Sequence, residues 1–439
     1  MTQQTLRSPN HAPISRRTLI KAAAVAATAI IGAATTAGMD LAAAPNNLAG
    51  TLTGPAAAPQ AGVAVFQATA RDAPPNQGTP PSVITNPPRQ WGPDAPPTIY
   101  PDPDIITVDP SFGPYMLGIT AIHRLWTGGR WLEGPAWSSE GNYLLFSDVQ
   151  GDVEYRLTWD DMRVTKFRDP SFHSNGHTID SQGREITCQD EFRRVVRWEH
   201  DGTMTVIADN YQGKKLNSPN DVVPHPDGSI WFTDPPYGDT LSEGQPDAPG
   251  GPANASGRLN PKVGDPFGDS FTRQLPTSVY RWDPSGRVDV VVGEDQLADP
   301  NGIAFAPDYK TLYVVSTGKG PGDMGPGGSG VIYAFDVAAD GKSVANKRLF
   351  TDMMVDGVHC GPDGLRLDVD GNVWASSNAP LGYAGVLVFN PQGTLIGRIR
   401  LPEVCANMAF GGPKHNFLLM TASQSIYALQ VNTQGAQPG

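Results

Sequence analysis

Residues 220–233 read Asn220-Asp221-Val222-Val223-Pro224-His225-Pro226-Asp227-Gly228-Ser229-Ile230-Trp231-Phe232-Thr233. A polar motif opens the stretch, a short apolar run leads to a turn at Gly228, and a β-branched and aromatic run returns. That is the pattern of an antiparallel strand pair. It recurs in one register along the chain. Six motifs start with a carboxylate or a primary amide: Glu133-Gly134-Pro135, Asn175-Gly176-His177, Asn220-Asp221-Val222, Asn301-Gly302-Ile303, Asp363-Gly364-Leu365 and Asn407-Met408-Ala409. Eight residues after each stands a turn position, Gly141, Gly183, Gly228, Tyr309, Gly371 and His415, and a strand-like run follows, such as Leu312-Tyr313-Val314-Val315 or Val373-Trp374-Ala375-Ser376.

Each repeat continues into a third run, such as Val279-Tyr280-Arg281-Trp282, and five continue into a fourth, such as residues 288–292. Four strands in each of six repeats predict an all-β fold, a six-bladed β-propeller with four-stranded blades over residues 116–432. The sixth repeat lacks its fourth strand, and the strand-like segment 119–126 ahead of the first repeat is expected to supply it, closing the ring and hiding an edge. The first strand of each blade lines the central channel, so all six motifs fall on one face. The loop after the second strand shares that face. In the third blade this loop is a Gly-, Pro- and Asp-rich insert of residues 235–276, expected to overhang the channel as a lid.

The chain of 439 residues carries a net charge of −12, which argues against nucleic acid or an anionic membrane as partner. Only 17% of residues are charged, while Gly (49) and Pro (42) are abundant, a composition suited to short strands and turns. Cys188, Cys360 and Cys405 form no C-x-x-C pair and are odd in number, so no disulfide framework is expected. Arg16-Arg17 followed by a short apolar run and the small residues Ala42 to Ala44 read as a twin-arginine signal peptide over residues 1–44. The expected destination is the periplasm or the exterior, with no stable membrane association once the signal is removed. Residues 45–115 read as a proline-rich linker, with eleven prolines between positions 73 and 103, extended and without a sheet ladder.

Equivalent positions of a ring converge on one place. Glu133, Asn301 and Asp363 offer two carboxylates and an amide oxygen, and Asn175, Asn220 and Asn407 add amides. Hard oxygen donors without a cysteine or histidine pair suit Ca²⁺ or Mg²⁺ better than zinc. Asn-Gly and Asp-Gly also open turns because they tolerate positive φ, but six such motifs in register favour a shared site. His177 lies two residues along its strand, where it either faces the channel or serves as a hydrogen-bonded structural histidine. Asp148, Asp190 and Asp234 end second strands at the motif face; the first two read as turn caps, and Asp234, which opens the insert, as a substrate contact. A cation in a partly dry channel polarises a carbonyl and acidifies water, and a neighbouring carboxylate takes the proton. The chemistry this predicts is hydrolysis of a neutral ester, lactone or phosphoester. No G-x-S-x-G elbow suggests an acyl-enzyme route.

The segments Trp131-Leu132-Glu133-Gly134-Pro135-Ala136-Trp137, Leu216-Asn217-Ser218-Pro219-Asn220-Asp221, Ile230-Trp231-Phe232-Thr233-Asp234-Pro235-Pro236-Tyr237-Gly238, Asp299-Pro300-Asn301-Gly302 and Gly361-Pro362-Asp363-Gly364 together resemble the gluconolactonase, senescence-marker-protein-30 and luciferin-regenerating-enzyme-like family. The resemblance covers residues 120–430 and implies a six-bladed propeller of calcium- or zinc-dependent lactonases. By resemblance, the metal ligands fall on Glu133, Asn301 and Asp363, the acid/base on Asp363 and a substrate-side asparagine on Asn220. Animal members carry an arginine where this chain has Ser218, and the segment around it looks more like bacterial gluconolactonases.

The expectation is therefore an exported hydrolase of a small-molecule sugar lactone. A divalent cation, calcium with zinc or magnesium as alternatives, is held by Glu133, Asn301 and Asp363. Asp363 acts as general base, and Asn220, Asp234 and His177 lie on the substrate side. A phosphotriesterase-like hydrolase and a non-catalytic ligand-binding propeller are the competing readings.

Overall fold

The computed structural model describes residues 79–239, 243, 273–318 and 327–437. The expected signal peptide, the first part of the leader and most of the 235–276 insert lie outside the described residues. The chain divides into residues 1–72 and 73–439, and every described residue belongs to the second unit. No helix among the described residues is long and apolar enough to cross a membrane.

The described strands form six antiparallel blades arranged as a β-propeller. The innermost strands are Leu132–Ser138, Ser174–Ile179, Val222–Pro224, Pro300–Phe305, Leu365–Leu367 and Cys405–Gly411. Each contacts the next, and the last contacts the first, which closes the ring. The sixth blade takes its outer strand from His123–Thr127, paired antiparallel with Ser425–Gln430. The segment ahead of the first repeat thus closes the ring as expected.

Five of the expected turn positions have φ in the left-handed region: Gly183, Gly228, Tyr309, Gly371 and His415. In the first blade Asn142, not Gly141, takes it, at φ 51°. Both residues belong to a glycine-asparagine turn, and asparagine tolerates this conformation.

Apolar clusters fill the spaces between neighbouring blades. Leu132, Trp137 and Phe146 of blade one meet Leu419 and Ile426 of blade six. Similar clusters lie between blades six and five, five and four, four and three, and three and two. Each fully buried Leu, Ile or Phe in them contributes about 1.5–3 kcal/mol. Blades one and two are joined differently, by buried polar side chains. Arg168 of blade one pairs with Glu154 of its own blade and, at 2.8 Å, with Glu185 of blade two. Its guanidinium also lies 4.0 Å from the Trp198 ring centroid. All three cysteines are buried and free.

The proline-rich leader does carry a ladder, which corrects the expectation. Ile105–Thr107 pairs antiparallel with residues 397–399 and adds a fifth strand to blade five. The ladder begins only after Pro103, the last of the eleven prolines between positions 73 and 103, where a β-branched run has every N–H it needs. Phe112 is fully buried in the cluster between blades five and six. Arg89 donates to Asp102 at 2.7 and 2.9 Å and to the Ile122 carbonyl at 2.6 Å, while the Ile122 N–H donates to Asp102 at 2.9 Å. Asp104 accepts from Ser82 Oγ at 2.8 Å and pairs with Arg400 at 3.3 Å. Residues 79–115 therefore form part of the propeller's outer wall.

Candidate active site

The motif residues sit at one end of the channel because neighbouring innermost strands interlock there. Gly176 N–H donates to the Asn220 carbonyl at 2.7 Å, Gly302 N–H to Asp363 at 2.9 Å and Gly364 N–H to Ala406 at 2.8 Å. A Cβ on Gly302 would lie 2.4 Å from the Asp363 carbonyl oxygen, and one on Gly176 would lie 2.3 Å from that of Asn220. These glycines are therefore needed for close approach of the strands. Of the four motif glycines only Gly134 has positive φ, at 54°, so the motifs are not ordinary turn openers.

Asp363 brings the expected ligand set together, because its carboxylate faces the side chains of both Asn301 and Glu133 at interaction distance. Its backbone N–H donates to Ser376 Oγ at 3.0 Å, which fixes the strand start. Glu133 is 4% exposed and accepts from the Gly134 N–H at 3.0 Å. Burial, then the charges of Glu243 and Asp221, pushes Asp363 up to about 7. Burial, then the charge of Asp363, pushes Glu133 well above the carboxylate range. Among the described residues no basic side chain pairs with either. Two carboxylates and an amide, gathered around Asp363 and without a counter-charge among the described residues, form a donor set that fits a divalent cation.

Two groups beside this set have no signal in the sequence pattern. Asp221 follows Asn220 and is fully buried; it accepts from the Ile303 N–H at 3.3 Å and from Arg366 at 3.1 Å. Arg366 is thus committed to Asp221, and Asp363 keeps its negative surroundings. Glu243, within the insert, has its carboxyl pushed up to about 7 by burial. Asn175 and Asn407 are buried at their ring positions, and Asn407 Oδ1 accepts from the Met408 N–H at 2.8 Å. Asn220 is also buried at the ring, its N–H held by the Thr233 carbonyl at 2.9 Å.

His177 and Asp234 both have partners in the framework. His177 is fully buried. Its Nε2 lies 2.6 Å from Ser147 Oγ, and its Nδ1 lies 3.2 Å from both Glu185 and Thr187. A register shift between Ser174 and His177 breaks the alternation and turns the ring into the seam between blades one and two. His177 also lines a cavity with Pro135, Val223, Arg366, Ala409 and the C-terminal residues 435–437. Glu154, His177 and Glu185 place ligand atoms within 4.8 Å of one another. Arg168 already sits on both carboxylates, so the group is a buried ion cluster. Burial would raise Glu185, but hydrogen bonds and charges from His177 and Arg168 hold it down at about 2. Burial and the Glu185 charge push Glu154 well up. Asp234 accepts from the backbone N–H groups of Asn217 and Ser218, each at 2.9 Å, and so anchors the segment that leads to Asn220. Each of its carboxylate oxygens thus already accepts one framework N–H.

Residues 131–424 match the family model described as the SMP-30/Gluconolactonase/LRE-like region. The gluconolactonase of Zymomonas mobilis is 29% identical over 334 residues, which span 72% of this chain and 83% of that protein. The solved structure of a gluconolactonase from Xanthomonas campestris is 29% identical with a TM-score of 0.61, covering 78% of this chain and 99% of that one. The calcium-binding protein regucalcin from Agrobacterium tumefaciens shares the fold at 18% identity, with a TM-score of 0.53 and coverage of 72% and 95%.

Proposed function

This chain belongs to the SMP-30/gluconolactonase/LRE-like family, and we propose that it hydrolyses a sugar lactone to the hydroxy acid with a divalent cation, calcium first, held by Glu133, Asn301 and Asp363. The observation that carries this reading is the contact of Asp363 with both Glu133 and Asn301 at the motif end of the channel. A relative named gluconolactonase aligns over most of its length, and regucalcin, of the same fold, is a calcium-binding protein.

A cation in this donor set supplies the positive charge that polarises the lactone carbonyl and acidifies water. The remaining steps belong to the chain's own residues. Asp363, half-buried and of raised proton affinity, accepts the proton of the attacking water. It returns that proton to the ring oxygen as the acyl C–O bond breaks. Asn301 and Glu133 fix its orientation, and Asn220 offers an amide to the substrate from the neighbouring ring position. Turnover of a δ-lactone, absent from an organophosphate panel, supports this reading; turnover of the organophosphates alone would replace it.

The raised proton affinities give a stability signature. Unfolded carboxylates titrate near 4, and Asp363 in the metal-free fold titrates near 7. A raised folded value contributes stability that is fully present below the unfolded value and is lost as pH rises through the folded one. Metal-free protein should therefore lose several degrees of melting temperature between about pH 5 and pH 8. Ca²⁺ should restore them, more strongly at the higher pH, because protons compete for the ligands. In Asp363→Asn much of this pH dependence should vanish. A metal-free melting temperature that rises across that window in the parent and stays unchanged by Asp363→Asn would contradict the assignment.

Export rests on Arg16-Arg17 and the apolar run after it. The double substitution Arg16→Lys, Arg17→Lys is expected to retain the precursor in the cytoplasm, as read by fractionation; undiminished export would remove this part of the reading.

A further inference from the structure

Asp148, Asp190 and Asp234 occupy matching places, at the motif-face ends of the second strands of blades one, two and three. Two of them have the same occupation. Asp148 accepts from the backbone N–H groups of Arg130, Trp131 and Gly151 at 3.0–3.1 Å, and Asp234 accepts from Asn217 and Ser218. Each ties down the segment that enters its own blade's motif.

Asp190 has been released from that task. The segment entering the second motif is held instead by Asp152, which accepts from Ser171 N–H at 3.1 Å and His173 N–H at 2.8 Å. Asp190 is 1% exposed, and among the described residues neither of its carboxylate oxygens has a hydrogen bond within ordinary range. The donors near it are the side-chain amide of Asn175, a ring motif residue, and the guanidinium of Arg193. Arg193 is committed to the Asn217 carbonyl and, at 3.1 Å, to Asp239. Burial, then the charge of Glu243, pushes the Asp190 carboxyl well up. A buried carboxylate without fixed donors lowers stability. Such a group persists where a ligand completes it.

We propose that Asp190, with Asn175 beside it, is the hydroxyl-recognition point of the lactone site and sets its preference for polyhydroxylated over unsubstituted lactones. The carboxylate accepts a hydrogen bond from a ring or side-chain hydroxyl of the substrate, the bond that no group among the described residues supplies in ordinary range. This assignment rests on the lactonase reading above.

The test compares D-glucono-δ-lactone with δ-valerolactone as substrates of the full chain loaded with Ca²⁺. The parent should hydrolyse both. In Asp190→Asn the ratio of kcat/KM for the hydroxylated to the unsubstituted lactone should fall about 10- to 100-fold, since hydrogen bonds to a charged acceptor are the strong ones. The melting temperature should hold or rise, because a buried uncompensated charge has been removed. Asp190→Ser should move the ratio in the same direction. A ratio unchanged within about twofold, whether or not both rates fall, overturns the assignment. So does failure of both variants to fold, which would place Asp190 in the framework. If the parent hydrolyses neither lactone, the lactonase reading itself fails and this assignment goes with it.

Discussion

Asp363→Asn is expected to lower kcat/KM for lactone hydrolysis by at least about 10³-fold while the protein stays folded. A general base alone contributes about 10²–10⁴, and the same carboxylate is also a proposed ligand, so the two losses compound. The fold should survive because the substitution is isosteric and removes one of two repelling carboxylates. The Gly302 N–H bonds the backbone carbonyl of Asp363, not its side chain, so the ring interlock is untouched. Glu133→Gln should act differently. It should weaken the cation, so that activity recovers in part at high Ca²⁺, whereas Asp363→Asn should not recover at any concentration. Full recovery of Asp363→Asn by Ca²⁺ would reduce Asp363 to a ligand and leave the proton transfer without an agent.

Asp102→Ala is expected to give the largest stability loss of any single substitution in the leader, about 3–5 kcal/mol. The Asp102 side chain is fully buried against Arg89, whose own side chain is 8% exposed. Removing the carboxylate leaves that guanidinium only its longer pairing with Asp104 at 3.6 Å and leaves the N–H groups of Ile122 and Asp104 without their acceptor. Ile122 adjoins the strand that closes blade six, so the damage reaches the ring closure. A fall in melting temperature on the order of 5–10 °C should result, measured by calorimetry on the metal-loaded protein. A change below 1–2 °C (about 0.5 kcal/mol) would mean that residues 79–115 do not contribute to the propeller's stability.

The blades were legible in the sequence because a strand pair with a fixed turn offset repeats along the chain, and the returning outer strand followed from the count. The ring positions of Glu133, Asn301 and Asp363 were legible for the same reason. The docking of the leader was not. It rests on specific pairs such as Arg89 with Asp102 and Asp104 with Arg400, distant in sequence and without periodicity. Of the two readings open for His177, the structure shows the hydrogen-bonded one; the alternation rule alone places it on the same side as Asn175, and only the register shift next to it distinguishes them. The capping by Asp234 and its absence at Asp190 depend on which backbone N–H groups come within 3 Å, and three identical residues at matching positions carry no trace of that difference. The polar seam between blades one and two was equally hidden, since Arg168, Glu154 and Glu185 belong to no motif or spacing that sets them apart. Buried polar clusters of this kind fix register at some cost in stability.

The most direct test of the central claim is metal analysis of the purified chain combined with lactone turnover before and after chelation. The account predicts one divalent cation per chain, loss of D-glucono-δ-lactone hydrolysis on its removal, and recovery when Ca²⁺ is added back. Undiminished hydrolysis by protein shown to be metal-free would contradict it.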